Sequence, residues 1–93
     1  MIKVTIYQNS EQKILGFAMQ GHAGYAESGS DIVCAAVSVL AQNTVNSIEQ
    51  FTEDRFTVDV DEQMGGLDFK IEPGYSKETA LLLNSLILGL QGI

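Results

Sequence analysis

A chain of 93 residues has room for one domain and little else. With 45% hydrophobic and 18% charged residues, one proline and nine glycines, it reads as a globular sequence and excludes a disordered tail or a collagen-like repeat. Five Lys and Arg against twelve Asp and Glu leave a net charge of −7. No basic stripe is present to displace counterions from phosphates, so direct binding of DNA or RNA is not expected, and a basic protein partner is favoured instead.

One cysteine permits no intrachain disulfide. One His and one Cys do not fill a metal shell, so neither a metal nor another cofactor is expected. The first ten residues, MIKVTIYQNS, lack the charged-then-apolar pattern of a secretion signal. The longest apolar stretch, Leu81 to Leu90, contains Asn84 and Ser85 and falls far short of the ~20 residues that span a bilayer. A reduced, cytoplasmic protein with no membrane contact is the expectation.

In chain order, Ile2–Tyr7 alternates strictly, with Ile2, Val4 and Ile6 on one face, which is the period of a half-buried strand. Ile14–Gln20 returns as a second strand with Leu15, Phe17 and Met19 inward. Gly21 to Ser30 carries three glycines in ten residues and reads as a loop. From Asp31 the spacing of Val33, Val37, Leu40, Thr44, Ile48 and Phe51 predicts a helix, with Ser30 or Asp31 as its N-cap. Phe56, Val58 and Val60 line a third strand. Gly65-Gly66 supplies a tight reversal, and Leu67, Phe69 and Ile71 line a fourth strand. After Pro73-Gly74, Ser76 caps a last helix from about Lys77. The order is ββαββα, an α+β domain over residues 1–93 in which an antiparallel sheet packs against two helices as a two-layer sandwich.

Between Glu49 and Glu72 eight carboxylates face two cations, Arg55 and Lys70. Most of them read as the solvated outer face of strands three and four, and a docking surface for a cationic partner is compatible with that. The last helix is apolar nearly all round. Leu82, Leu83, Leu86, Ile87 and Leu90 form one stripe, while Leu81 and Leu88 lie opposite, which points to a subunit interface.

The single His and single Cys bracket the glycine-rich loop. His22 follows strand two, and Cys34 is placed in the first turn of the first helix, where free amides and the helix dipole favour a thiolate. A thiolate beside a base that later protonates the leaving group is the minimum for nucleophilic acyl transfer, and nearby amides would serve a developing oxyanion. A lone Cys in IVCAAVSVL is more often a small buried hydrophobe. Against that, Asp31, Cys34 and Ser38 share one helix stripe by spacing, with Val33, Ala36, Val37 and Leu40 left to face the core. The bland roles of Asp31 and Ser38 are an N-cap and a hydroxyl bonded to its own backbone. Spacing alone reaches a candidate thiol-dependent acyl-transfer site.

The stretch GHAGYAESGSDIVCAAVSVLAQ, Gly21 to Gln42, closely resembles the signature of the ribosomal-processing cysteine protease family Prp. Both hairpins and the LLLNSLILGLQ helix also look like that family, so the resemblance covers nearly the whole chain. It implies a homodimeric cysteine protease that removes an N-terminal extension from the precursor of large-subunit ribosomal protein twenty-seven. It also implies Cys34 as nucleophile and His22 as general base and acid. Asp31 and Ser38 would support the site, with Gly21 at a hinge-like position. Family members continue for a short charged and aromatic segment where this chain stops at Gln91-Gly92-Ile93. Gly24, Tyr25 and Gly29 are read as the loop that closes over the peptide. The rival class is a non-enzymatic acidic chaperone or binding module for a basic ribosomal protein, with His22 and Cys34 structural. A redox sensor is weaker, since no resolving cysteine is present.

Overall fold

The computed structural model describes residues 2–21, 28–61 and 65–93, with side chains 28–31 outside the described part. Its elements are β1 (Lys3–Gln8), β2 (Ile14–Gln20), α1 (Ser28–Phe51), β3 (Phe56–Asp61), β4 (Gly66–Ile71) and α2 (Lys77–Gln91). The four strands form one antiparallel sheet in the order β1-β2-β4-β3, so the two hairpins join through β2 and β4. Both helices pack on one face of it, giving the ββαββα two-layer architecture that the alternation and helical spacing predict.

The core is the helix-facing side of the two central strands. Phe17, Met19, Phe69 and Ile71 meet Val37, Ala41, Val45 and Ile48 of α1 and Leu83 and Leu86 of α2 in one cluster. Phe17 and Phe69 sit opposite each other in the β2–β4 register and stack with ring centroids 5.1 Å apart; Phe56 of β3 adds a tilted contact to Phe69 at 5.2 Å. On α2 the expected division holds: Leu83 and Leu86 are buried, while Leu81 and Leu88 are 70% and 71% exposed.

Two details of the strands differ from the sequence reading. The register slips between Tyr7 and Gln8, whose partners are Gly16 and Ile14, so Leu15 is the extra residue of a β-bulge. Ile14 therefore takes the core place expected for Leu15. Gly16, next to the bulge, lies too close to strand β4 for any side chain, since a Cβ there would collide with the Phe69 carbonyl. In the second hairpin Asp61 pairs with Gly66, and Gly65 has positive φ, at 63°. Gly66 belongs to the strand, and the Gly-Gly pair is not a two-residue reversal.

The end of α1 is tied to the start of α2. Ser76 caps α2 with its hydroxyl accepting from the Thr79 amide at 3.2 Å. The Asp54 carboxylate accepts from the Ser76 amide at 3.1 Å, from the Ser76 hydroxyl at 2.5 Å and from the fully buried Thr79 hydroxyl. These bonds, the Ser76 and Thr79 hydroxyls foremost, hold the Asp54 carboxyl below its ordinary pKa. Ser76→Ala is expected to lower unfolding free energy by about 1 kcal/mol in urea titrations. Because the folded pKa of Asp54 is depressed, its stabilisation is complete above the unfolded value and fades as pH falls through the folded one. Thermal melts of Asp54→Asn should lie below wild type at neutral pH and converge with it in strong acid.

Candidate active site

Helix α1 is held by a buried stripe of Cys34, Val37, Ala41, Thr44, Val45 and Ile48, the spacing of a single helical face. Thr44 satisfies its hydroxyl internally by donating to the Leu40 carbonyl at 2.8 Å. Cys34 closes the N-terminal end of this stripe and is 5% exposed. Val33, expected in the core, is instead 40% exposed, and Phe51 at the other end is 78% exposed. Three residues back from Val37 lies Cys34 and four back lies Val33. The buried stripe of the helix therefore runs through Cys34, while Val33 borders an open depression with Ile2, Val4 and Ile87.

The helix also begins earlier than its pattern predicts. Ser28, Gly29, Ser30 and Asp31 all lie within α1, so Gly29 is not a loop residue and neither Ser30 nor Asp31 is an N-cap. Glycine costs a helix most in its interior, and Gly29 stands in the first turn, which is why a breaker signal misled the boundary. Cys34 is consequently the seventh residue of α1 and not a member of its first turn. Its amide belongs to the helical ladder, since only the first four are free, and the dipole acts mainly on the end turn. The Cys34 amide is therefore not among the free helix-start amides expected to serve an oxyanion.

Ser38 lies one helical turn beyond Cys34 and is half-buried. It opens onto a groove of about 420 Å³ between α1 and the β3–β4 hairpin. The floor is Met19, Val58, Val60 and Leu67; the α1 wall continues from Ser38 through Gln42 to Asn46, and Asp61 stands at the margin. Val58 and Val60 pair in register with Phe69 and Leu67 and so face the helix layer, yet they are 38% and 63% exposed. Gln42, Asn46, Val58 and Val60 were not singled out as site residues from sequence. The available signal was polar residues at i, i+4 and i+8 on α1 opposite apolar residues on an edge strand.

Gly21 directly follows β2 with φ of 144°, a conformation side-chain-bearing residues rarely adopt, and precedes His22 in the chain. This backbone suits a hinge-like role. His22, Gly24 and Tyr25 lie outside the described residues, as does the Asp31 side chain. Among the described residues no helix is long and apolar enough to cross a membrane.

The family model for the cysteine protease Prp matches residues 1–93, the whole length. The chain belongs to the Prp cysteine protease family. The ribosomal processing cysteine protease Prp of Staphylococcus aureus is 34% identical over 93 residues, covering 100% of this chain and 88% of its own length. The crystal structure of the S. aureus protease with a substrate peptide superposes with a TM-score of 0.91, covering 99% of this chain and 87% of that one, at 34% identity. A second S. aureus structure, with a covalently linked product peptide, gives 0.85 over the same shares, again at 34% identity. The fold and the enzyme class expected from the motif thus both hold, and the binding-module reading gives way to a cysteine protease.

Gly21→Ala should cost about 1–3 kcal/mol, the usual penalty for a side chain in such backbone, read as a lower urea midpoint with an unchanged m-value.

Proposed function

We propose that this protease removes the N-terminal extension from the precursor of large-subunit ribosomal protein twenty-seven, with Cys34 as nucleophile and His22 as general base and acid. The observation that carries this reading is the count of residues. A cysteine protease with one cysteine and one histidine in 93 residues has one candidate for each role. The S. aureus relatives, which process a ribosomal substrate and hold substrate and linked product peptides, support its direction.

The Cys34 thiol loses its proton to His22, and the thiolate sulfur attacks the scissile carbonyl carbon. Collapse of the tetrahedral adduct breaks the peptide C–N bond as the His22 imidazolium protonates the departing amine, leaving a thioester on Cys34. Water then attacks the thioester while His22 accepts its proton, and the acid product leaves as the thiol is restored. Asp31 and Ser38 support this pair. Gly21 provides the hinge, and Gly24 and Tyr25 contact the peptide. A near-buried thiol keeps bulk water from the thioester until the amine has gone.

The substrate's positive charge complements the net −7 of the enzyme, which raises encounter rate more than turnover. The working unit is a homodimer in the cytoplasm, bound to neither membrane nor nucleic acid. Ile32, Val39, Leu81 and Leu88 are all at least 65% exposed on the two helices, large apolar side chains that a second copy would cover.

Incubating the full-length extended precursor with wild type should release one new N-terminus, read by mass spectrometry, and Cys34→Ala and His22→Ala should release none. Binding without cleavage by every variant, wild type included, would overturn the protease reading for this chain. Leu88→Asp should shift the mass measured by light scattering from dimer to monomer; an unchanged dimer would place the interface elsewhere.

A further inference from the structure

Gln42 and Asn46 are exposed carboxamides with no hydrogen-bond partner among the described residues, yet they line the groove that begins one turn beyond Cys34. Together with Ser38 they stand at intervals of four residues on α1, which is about 6 Å of helix rise per step. An extended peptide repeats its same-side groups every two residues, about 6.6–6.8 Å. The two repeats nearly coincide over the length of this wall. A carboxamide both donates and accepts, which is what one edge of an extended main chain demands. Opposite, β3 pairs only with β4, and its apolar Val58 and Val60 face the helix layer uncovered. The geometry therefore has a polar wall with strand periodicity and an apolar floor.

From this we infer that Gln42 and Asn46 clamp the main chain of an extended substrate segment, whose apolar side chains rest on Val58, Val60 and Leu67. The inference rests on the protease reading above and adds to it the conformation of the bound peptide and two positioning residues. Neither amide touches the reacting atoms. They position the chain, so their loss weakens binding and leaves the chemical step intact. A helical ligand would bring side chains, not main-chain groups, to the wall, and would leave the carboxamides unmatched.

The probe is a fluorescein-labelled synthetic peptide spanning the extension junction of the ribosomal protein precursor. Gln42→Ala and Asn46→Ala should each raise KM about fivefold, the worth of one hydrogen bond, with kcat within about twofold of wild type. Asn43→Ala, exposed on the same helix but outside the groove, should change neither. Anisotropy titrations in a Cys34→Ala background should show the same weakening of Kd, a readout independent of turnover. If wild type cleaves and both variants keep its KM and Kd, the clamp is wrong while the protease reading stands. If wild type cleaves nothing but Kd still weakens in the variants, the clamp stands and the reaction assignment falls. Equal loss of affinity in Asn43→Ala would overturn the clamp as well.

Discussion

The rotation of α1 about its own axis is the constraint on which the rest of the molecule depends. A four-stranded sheet with one covered face offers a single bed for this helix, and Phe17, Phe69 and Ile48 fill it with almost no exposure. The same rotation leaves Cys34 5% and Val33 40% exposed. One register therefore fixes both the core and the burial of the sulfur. A side chain carried on so firmly bedded an element is held within small positional tolerances, which one on a loop would not achieve.

Much of this was legible in the sequence, and the errors have physical causes. Strands with clean alternation, such as Phe56 to Val60, were found where they stand. So was α2 with its Ser76 cap, because one side-chain oxygen and an unbroken apolar run agree. The bulge at Leu15 was invisible because Ile14 and Leu15 are equally apolar, and only the partner strand selects which is buried. The start of α1 was misplaced because Ser-Gly-Ser resembles a loop in isolation and becomes helical under the pull of the stripe that follows. The His/Cys pair stood out by rarity and motif. The groove did not, because polar residues along a helix read as a solvated face until the bare edge strand is seen opposite them.

Strand β3 separates two kinds of recognition by one-residue alternation. Val58 and Val60 face the helix layer, whereas Asp59 faces away, level with Asp68 of β4, and Asp61 stands at the margin of the groove. The apolar surface of Val58 and Val60 and the Asp59 carboxylate are thus on opposite sides of the same backbone. The field of such a carboxylate acts over about a Debye length in solution and needs no contact.

The bonds from Asp54 to Ser76 join residues 22 apart and enclose the whole of β3 and β4. Next to them, the Tyr75 hydroxyl donates to the Ile14 carbonyl across 61 residues, the span that unites the second hairpin with the first. A chain that has already fastened 54 to 76 has a shorter effective tether to draw in when 75 seeks 14, and the entropy of that closure falls accordingly. The carboxylate that braces the cap of α2 thus also shortens the loop that the Tyr75 contact has to close.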